Sequence, residues 1–220
     1  MDLNKYLNTF FPGLVLKPSL YHQWDIGLHF ELGGGVYQFK EGTEKLDFER
    51  FKQVYRQTHC IFQEIFSEED VVFLVTNVYK RTTEHRIQRI KVYDRNMKNK
   101  YLKYQLKQET LPYLFDEEDA DDYYTTRYSL KCRKQDINYQ LLIKAACNED
   151  FPLKPKLGGF YAHYPDVFFV NATKNVIFFI YDDRGCEVIA SNQETIRPLY
   201  EKFGDRIDKY YKEEINERVK

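Results

Sequence analysis

The sequence DVFFVNATKNVIFFIYDDRGCEVIASNQETIRPLY, residues 166–200, decides the fold of this chain. It contains three apolar runs, at 167–170, 176–181 and 186–190, that are rich in β-branched and aromatic residues and therefore favour β-strands. The polar segments between the runs carry asparagine, aspartate and glycine, which favour tight turns because they bond nearby amides or accept unusual backbone angles. The stretch therefore predicts a three-stranded meander.

A helix is predicted directly after the meander. Ser191 and Glu194 have the spacing of a capping box, in which two side chains bond backbone amides of the first helical turn. Apolar residues then recur at helical spacing, at Ile196, Leu199, Tyr200 and Phe203. Since the first two strands are apolar at nearly every position, we expect both faces of the sheet to be covered, one of them by helices.

The rest of the chain supplies further elements of both kinds. Helical spacing of apolar residues predicts a short helix over 3–11, a long helix over 45–66, a helix capped by Asp136, and a last helix from Asp205 to the end. Apolar runs and alternation predict strands at 24–32, 36–39, 71–79, 87–93 and 127–132. We expect one α+β domain over residues 1–220, built on a mostly antiparallel sheet with helices packed on it. A two-lobed division near 108–125 is the alternative.

Composition excludes several classes of protein. The chain has 220 residues, 43% of them hydrophobic and 17% aromatic, which is incompatible with a disordered chain. A formal net charge of −1 gives no overall attraction to nucleic acid or an anionic membrane. The sequence shows no apolar segment of signal-peptide or membrane-helix type, so we expect a cytoplasmic protein without a membrane partner. The four cysteines are widely spaced and are expected to be reduced and mostly buried.

The first candidate site lies in the predicted strand 24–32. Asp25, His29 and Glu31 fall on the polar side of this strand, close enough for acid–base chemistry or metal binding. The simpler interpretation is that they form the solvent-facing side of an edge strand, which the alternation predicts by itself.

The second candidate site is the turn before the third strand of the meander. Asp182 and Asp183 could bind a divalent ion, and Cys186 could act as a nucleophile if a nearby base lowered its pKa. The simpler interpretation is a tight turn, in which Asp182 bonds local amides, Arg184 pairs with an acid and Cys186 is buried. The tip of this hairpin is nevertheless the first place to look for a site.

The third candidate is a change of charge along the chain. Lys80–Lys107 is rich in lysine and arginine with interleaved tyrosines, and could bind nucleic acid, although we do not favour this. The acid run that follows could bind a basic protein instead; its acids are Asp116, Glu117, Glu118, Asp119, Asp121 and Asp122. Alternatively, the two sections neutralise each other on a solvated surface. Phosphate-loop, dinucleotide-binding, zinc-protease and serine-hydrolase motifs are all missing from the sequence, so it indicates no cofactor, no metal and no named enzyme class.

Several short segments together resemble one bacterial family, the domain-of-unknown-function 3885 family. The similarity runs nearly from end to end, and Tyr181-Asp182-Asp183-Arg184-Gly185-Cys186 is its strongest part. The other segments are Leu3–Gly13, Trp24–Gly27, Phe30–Gly33, Ser67–Asp70, Leu111–Tyr113 and Glu194–Ile196. The resemblance implies no activity, cofactor or catalytic residue. Some members are encoded near polymorphic toxins, which implies an immunity role by association. This chain departs from the family pattern at Gly33–Gly35 and Tyr161–Tyr164.

Two functional hypotheses follow. The first is a non-enzymatic protein-binding protein of the immunity type, which neutralises a partner toxin through acidic and aromatic surface. The second is a hydrolase or nuclease that uses Asp25, His29 and Glu31, or Asp182 and Asp183. Convergence of these side chains in one concave pocket would favour the enzyme, whereas scatter over the surface would favour binding.

Overall fold

A computed structural model describes residues 1–83, 91–115, 120–158 and 164–219 of the chain. Its strands are β1 (Gly27–Glu31), β2 (Val71–Arg81), β3 (Lys107–Pro112), β4 (Tyr123–Arg133), β5 (Asp166–Asn171), β6 (Val176–Ile180) and β7 (Gly185–Ala190). Its α-helices are α1 (Leu3–Phe10), α2 (Phe48–Ile65), α3 (Lys91–Asn96), α4 (Tyr139–Cys147), α5 (Gln193–Phe203) and α6 (Lys212–Val219). The α+β prediction is confirmed.

The strands form one sheet in the order β1-β7-β6-β5-β2-β4-β3, with every neighbouring pair antiparallel. The predicted meander is confirmed, because Phe178 of β6 lies between Phe169 of β5 and Val188 of β7. The long strand β2 joins the meander to β4, and β1 lies at the outer edge beside β7.

Both faces of the sheet are covered, as expected. Phe168 and Phe169 are neighbours on β5, and their side chains point to opposite faces because side chains alternate along a strand. Phe169 packs edge-on against Phe62 of α2, with ring centroids 5.0 Å apart, in a core that includes α4 and α5. Phe168 stacks on Phe179 with ring centroids 4.6 Å apart, in a second core that α1 covers.

Two predicted strands are wrong wherever the structure describes them. Over 36–39 there is only an isolated bridge between Phe39 and Leu46, because positive φ angles at Gly33, Gly34 and Gly35 lead the chain away from the sheet. Residues 91–93 of the predicted strand 87–93 instead begin α3, and residues 87–90 lie outside the described part. The strand predicted over 24–32 is shorter, at Gly27–Glu31.

Four helix starts also differ from the predictions, and α2 begins at Phe48, three residues after its predicted start. The cap of α5 is Asn192, which accepts from the Thr195 amide at 2.9 Å, and not Ser191. Asp136 accepts from the Arg133 amide at 2.9 Å in a 3₁₀ turn, whereas α4 begins after Asn138. The last helix begins at Lys212 rather than near Asp205, because the chain first runs along β1.

That pairing along β1 explains the late start of α6. Ile207 forms a bridge with Phe30, and the Asp208 amide donates to the carbonyl of His29 at 3.0 Å. The backbone at 207–208 is therefore used by the sheet edge and cannot be helical. It also brings Asp208 beside β1.

The acid run connects two neighbouring strands, β3 and β4. Asp121 and Asp122 lie in an exposed turn before β4, and residues 116–119 lie outside the described part. Within the basic section, Tyr93 is buried in the core, whereas Tyr101 and Tyr104 are exposed. Among the helices of the described ranges, none combines the length and apolar character needed to cross a bilayer.

Candidate functional site

The tip of the β6–β7 hairpin, residues 181–184, lies between two adjoining clefts. The larger one, about 860 Å³, contains His29 and is called the histidine cleft. The smaller one, about 440 Å³, is walled mainly by aromatic rings and is called the aromatic cleft. Tyr181, Arg184 and Pro18 line both of them. The part of the sequence with the strongest family resemblance therefore forms the wall between the clefts.

Local hydrogen bonds hold the hairpin tip in place. The Arg184 amide donates to Asp182 Oδ1 at 2.6 Å, and Arg184 Nε donates to Asp182 Oδ2 at 2.8 Å. The Asp182 carboxylate is almost fully buried, whereas the Arg184 side chain is 65% exposed. Asp182 therefore acts on its own turn, and Arg184 is the charged group that the tip presents to solvent.

Asp183 is engaged inside the protein and lines neither cleft. Arg50 of α2 donates to its carboxylate from two nitrogens, at 3.1 and 2.8 Å. Burial raises the pKa of Asp183, and the hydrogen bonds and charge of Arg50 oppose that rise. Arg50 also crosses Gly33, where an added Cβ would lie 1.9 Å from its Nη1 atom. A side chain at position 33 would therefore displace this ion pair.

Cys186 is fully buried on β7. Burial raises the pKa of its thiol well above the ordinary value, with further contributions from Cys147 and Glu187. A thiol with a raised pKa stays protonated at neutral pH and is a poor nucleophile. The four cysteines are free, with Cys60 exposed and the other three buried.

In the histidine cleft, His29 lies between two carboxyl groups. Its Nε2 is 3.9 Å from Glu187 Oε1, and its Nδ1 is 3.6 Å from Asp208 Oδ2. The ring stacks on Tyr181 with centroids 5.5 Å apart and lies 4.9 Å from the ring of Tyr211. Burial lowers the pKa of His29, and the charge of Asp208 opposes this. Each ring nitrogen thus faces a carboxylate of the protein itself.

Glu187 is the buried acid of this cleft. It is the cross-strand partner of His29, and its Oε2 accepts from the Leu20 amide at 2.7 Å. Burial raises the pKa of Glu187 to about 7, and the amides of Leu20 and Tyr21 oppose this.

The structure brings together only part of the first predicted group. His29 and Glu31 line the histidine cleft, whereas Asp25 is exposed and is not among the described residues that line either cleft. Sequence reasoning missed Glu187, although a lone acid inside the apolar run 186–190 was a signal. It also missed Asp208, for which the sequence carries no signal because its position depends on the pairing of residue 207 with β1.

The wall of the aromatic cleft is a group of four rings in contact. Tyr79 meets Phe115 at a centroid distance of 4.7 Å, and Tyr113 stacks on Tyr123 at 5.1 Å. Tyr113 and Phe115 contact each other and join these two pairs. Phe115 is 46% exposed, so the group opens to solvent.

The aromatic cleft is also lined by carboxyl groups: Glu149, Asp150, Asp166 and Asp182. Asp166 accepts a hydrogen bond from the Tyr79 hydroxyl, and burial raises its pKa to about 7. Burial, together with the charges of Asp166, Asp150 and Asp182, raises the pKa of Glu149 to about 8. Lys156 partly opposes this rise. The cleft therefore combines aromatic walls with an excess of acidic groups.

The described residues that line the two clefts do not form the ligand set of a metal centre. Within residues 1–83, 91–115, 120–158 and 164–219, histidine, cysteine, aspartate and glutamate do not assemble in groups of three that could hold an ion. The distances from the His29 ring nitrogens to the carboxyl oxygens of Glu187 and Asp208, 3.9 and 3.6 Å, are longer than a hydrogen bond.

The fold and site define an α+β domain whose antiparallel sheet is covered on both faces and carries two adjoining clefts at one hairpin tip. Residues 3–211 match the model of a family described as "Domain of unknown function (DUF3885)", and the chain belongs to this family. The match includes the whole sheet and both clefts. The chain is also similar to the "Uncharacterized protein YnaE" of Bacillus subtilis (strain 168), with 48% identity over 211 residues, 96% of this chain and 99% of the relative. No solved structure matches the chain.

Proposed function

We propose that this protein is a non-enzymatic binding protein that neutralises a basic protein partner, a function of the immunity type. The observation that carries the proposal is the position of the acid run. Tyr113 and Phe115 precede the run and Tyr123 follows it, and all three line the aromatic cleft. In the sequence, the acid run is therefore flanked on both sides by residues of the aromatic cleft.

Charge supports a basic partner. The aromatic cleft is lined by carboxyl groups as well as rings, and the exposed Asp121 and Asp122 lie close in sequence to Tyr123. A surface with one sign of charge attracts a partner of the opposite sign and speeds the encounter. The exposed Phe115 and the partly exposed Tyr113 and Tyr123 supply apolar contact area, which is typical of the centre of protein interfaces.

The geometry of the polar residues also supports binding over catalysis. Asp183 is held by Arg50, Cys186 is fully buried, and Asp25 lies away from both clefts. A general base needs a free nitrogen or oxygen within about 3 Å of a substrate proton. His29 is the exception, because its ring nitrogens lie 3.9 and 3.6 Å from carboxyl oxygens and its Nδ1 has no hydrogen-bond partner among the described residues.

The test is a pull-down of the tagged protein from its own host at low and raised salt, with a matched pair of variants. In the first variant the six acids of the acid run are replaced by their amides. The control replaces six exposed glutamates elsewhere with glutamine: Glu41, Glu44, Glu49, Glu194, Glu201 and Glu213. We expect one stoichiometric basic partner, retained by the control and lost by the first variant and at raised salt. Equal capture by both variants, or no partner at either salt, would contradict the proposal.

A hydrolase or nuclease is the second candidate, and one observation favours it. His29 lies in the larger of the two clefts beside Glu31 and the buried Glu187. We would measure hydrolysis of RNA, DNA and model phosphate esters with the purified protein, with and without divalent ions. Activity that is abolished in His29→Gln and retained in Asp25→Asn would establish the enzyme and overturn the binding proposal.

A further inference from the structure

We propose that the aromatic cleft binds a single organic cation, the guanidinium or alkylammonium group of an arginine-like or lysine-like ligand. This cation site deepens the proposed function and rests on it, because a side chain of the basic partner would enter the same cleft. A volume of about 440 Å³ is enough for one extended side chain.

The aromatic rings give the first reason. A cation is attracted to the faces of tyrosine and phenylalanine rings, and the attraction grows when the cation leaves water. Four contacting rings, those of Tyr79, Tyr113, Phe115 and Tyr123, form one wall of the cleft. The chain already uses this chemistry at the same cluster. The guanidinium carbon of Arg81 lies 5.4 Å from the centroid of Tyr123, and its Nε donates to the Tyr123 hydroxyl at 2.8 Å.

The balance of charge gives the second reason. Of the described residues that line the cleft, four carry carboxyl groups and one, Arg184, carries a positive charge. Arg184 is engaged with Asp182. Lys156 donates to the backbone oxygen of Glu149 at 3.2 Å, and its charge partly offsets that of the Glu149 carboxyl. A bound cation would add positive charge to a cleft whose described lining has more acids than bases.

Burial of these carboxyl groups makes the counter-charge matter. Glu149 and Asp166 both have raised pKa values, about 8 and about 7, because burial disfavours their charged forms. A carboxyl group that is desolvated next to other acids gains more from a cation than one in open solvent. Glu149 is therefore the residue most sensitive to the ligand.

Other ligand classes fit less well. A phosphate or carboxylate ligand would meet four acids. A bare metal ion would find aromatic rings where it needs oxygen ligands, and the described residues contain no three-residue metal cluster. A neutral aromatic ligand would add no positive charge to offset the acids that line the cleft.

The test is a titration of the full chain with N-acetylarginine amide, followed by NMR of the tyrosine rings and by calorimetry. The matched ligand is N-acetylcitrulline amide, which has the same shape but no charge. We expect the cation to bind at least about tenfold more tightly than the citrulline probe. Equal affinity of the two probes, or no binding of either, would overturn the cation site.

Variants locate the site. Glu149→Gln removes an ionisable carboxyl group without changing shape, and Tyr113→Leu removes one ring; at pH 9, where Glu149 is charged, both should weaken binding of the arginine probe about tenfold. Their controls are Glu201→Gln and Tyr101→Leu, which change exposed residues outside the cleft. Circular dichroism confirms that each variant is folded, and two separate variants guard against the failure of one. If the controls weaken binding as much as the cleft variants do, the site is not the aromatic cleft.

Two further probes separate the possible sources of the cation. Spermidine represents a free polyamine, and a short blocked peptide with one central arginine represents a protein side chain. Tighter binding of the peptide supports a partner's side chain, and tighter binding of spermidine supports a small-molecule ligand; both retain the cation site. If a basic partner is captured in pull-downs while no small cation binds, the cation site fails and the proposed function stands. If the cation binds but Glu149→Gln and the acid-run variant still capture the partner, the cation site stands and the proposed function fails.

Discussion

At the scale of single residues, Glu187 is an acid whose charged form is disfavoured by burial in the folded protein. Its side chain is 4% exposed, and burial raises its pKa from 4.5 to about 7. Below pH 4.5 the carboxyl is protonated in both the folded and the unfolded chain. Between pH 4.5 and 7 the unfolded chain releases the proton first, so the protein loses stability as the pH rises; above pH 7 the loss is constant.

Glu187→Gln should therefore stabilise the protein at alkaline pH. Glutamine keeps an oxygen for the Leu20 amide and cannot ionise. We expect its free energy of unfolding, relative to the parent protein, to rise by up to about 3 kcal/mol between pH 4 and pH 8. Urea unfolding at the two pH values measures this, with the exposed Glu31→Gln as control. If the difference in free energy of unfolding between Glu187→Gln and the parent protein is the same at both pH values, burial of Glu187 does not disfavour its charged form.

The carboxyl groups of the aromatic cleft predict pH-dependent ligand binding. Glu149 and Asp166 ionise near pH 8 and 7, so the negative charge that faces the ligand grows between pH 6 and pH 9. The other facing groups are Asp150, Asp182, Arg184 and Lys156. The positive charge of Lys156 competes with the ligand. A lysine loses its charge as the pH rises, and burial lowers the pKa of Lys156, which moves this loss to lower pH.

We therefore expect the affinity for N-acetylarginine amide to increase by about tenfold from pH 6 to pH 9. The increase should be smaller in Glu149→Gln, which has lost the group with the higher pKa. Calorimetric titrations at four pH values measure both curves. An affinity that falls with pH, or identical curves for the two proteins, would argue against ionisation of Glu149 in the complex.

At the scale of elements, two neighbouring residues, Ser191 and Asn192, are alternative N-caps for α5. Asn192 accepts from the amide and from the hydroxyl of Thr195, both at 2.9 Å, whereas the sequence had favoured Ser191. Asn192→Ala should lower the free energy of unfolding by about 1 kcal/mol, and Ser191→Ala should change it by much less. Thermal or urea unfolding compares the two. A larger loss for Ser191→Ala would restore the predicted capping box.

How well the sequence predicted an element depends on whether its signals are local. The meander β5–β6–β7 is predictable because its strands and turns are contiguous and each is specified by its own residues. Residues 91–93 were wrongly assigned to a strand, because Val92 and Tyr93 are apolar and buried in either conformation. The helical turn is revealed only by the structure, in which Asn96 is buried and its side-chain amide donates a hydrogen bond to the carbonyl of Val92 at 2.9 Å.

The candidate site was predictable only in part, for the same reason. The hairpin tip stood out in the sequence because its turn residues are contiguous. The arrangement of His29, Glu187 and Asp208 joins three distant segments, so only the strand order and the pairing of residue 207 create it. The carboxyl groups of the aromatic cleft likewise come from separate segments, α4's C-terminal turn, β5 and the hairpin tip.

At the scale of the whole molecule, one sheet is shared by two cores, and this predicts a single unfolding transition. Trp24 is the only tryptophan of the chain; it packs on the core covered by α1, and its indole donates to Ala190 at 2.8 Å. Far-ultraviolet circular dichroism mainly reports the longer helices α2, α4 and α5 on the other face.

Urea unfolding followed by both signals should give coincident midpoints, because strands such as β5 and β6 contribute side chains to both cores. Coincident midpoints are the result expected if residues 1–220 form one domain. Two separate midpoints would instead indicate independent lobes, the alternative that the acid run suggested.

The position of β1 has a consequence for the newly made chain. β1 lies near the start of the sequence, yet its partner in the sheet is β7, near the end. A ribosome that adds about 5–20 residues per second makes β7 roughly 10–30 s after β1. During that interval Leu28, Phe30 and Leu32, which are buried in the finished protein, have not yet met their final neighbours. The first strand to leave the ribosome is thus among the last to be protected, and we expect chaperones and proteases to find the nascent protein there.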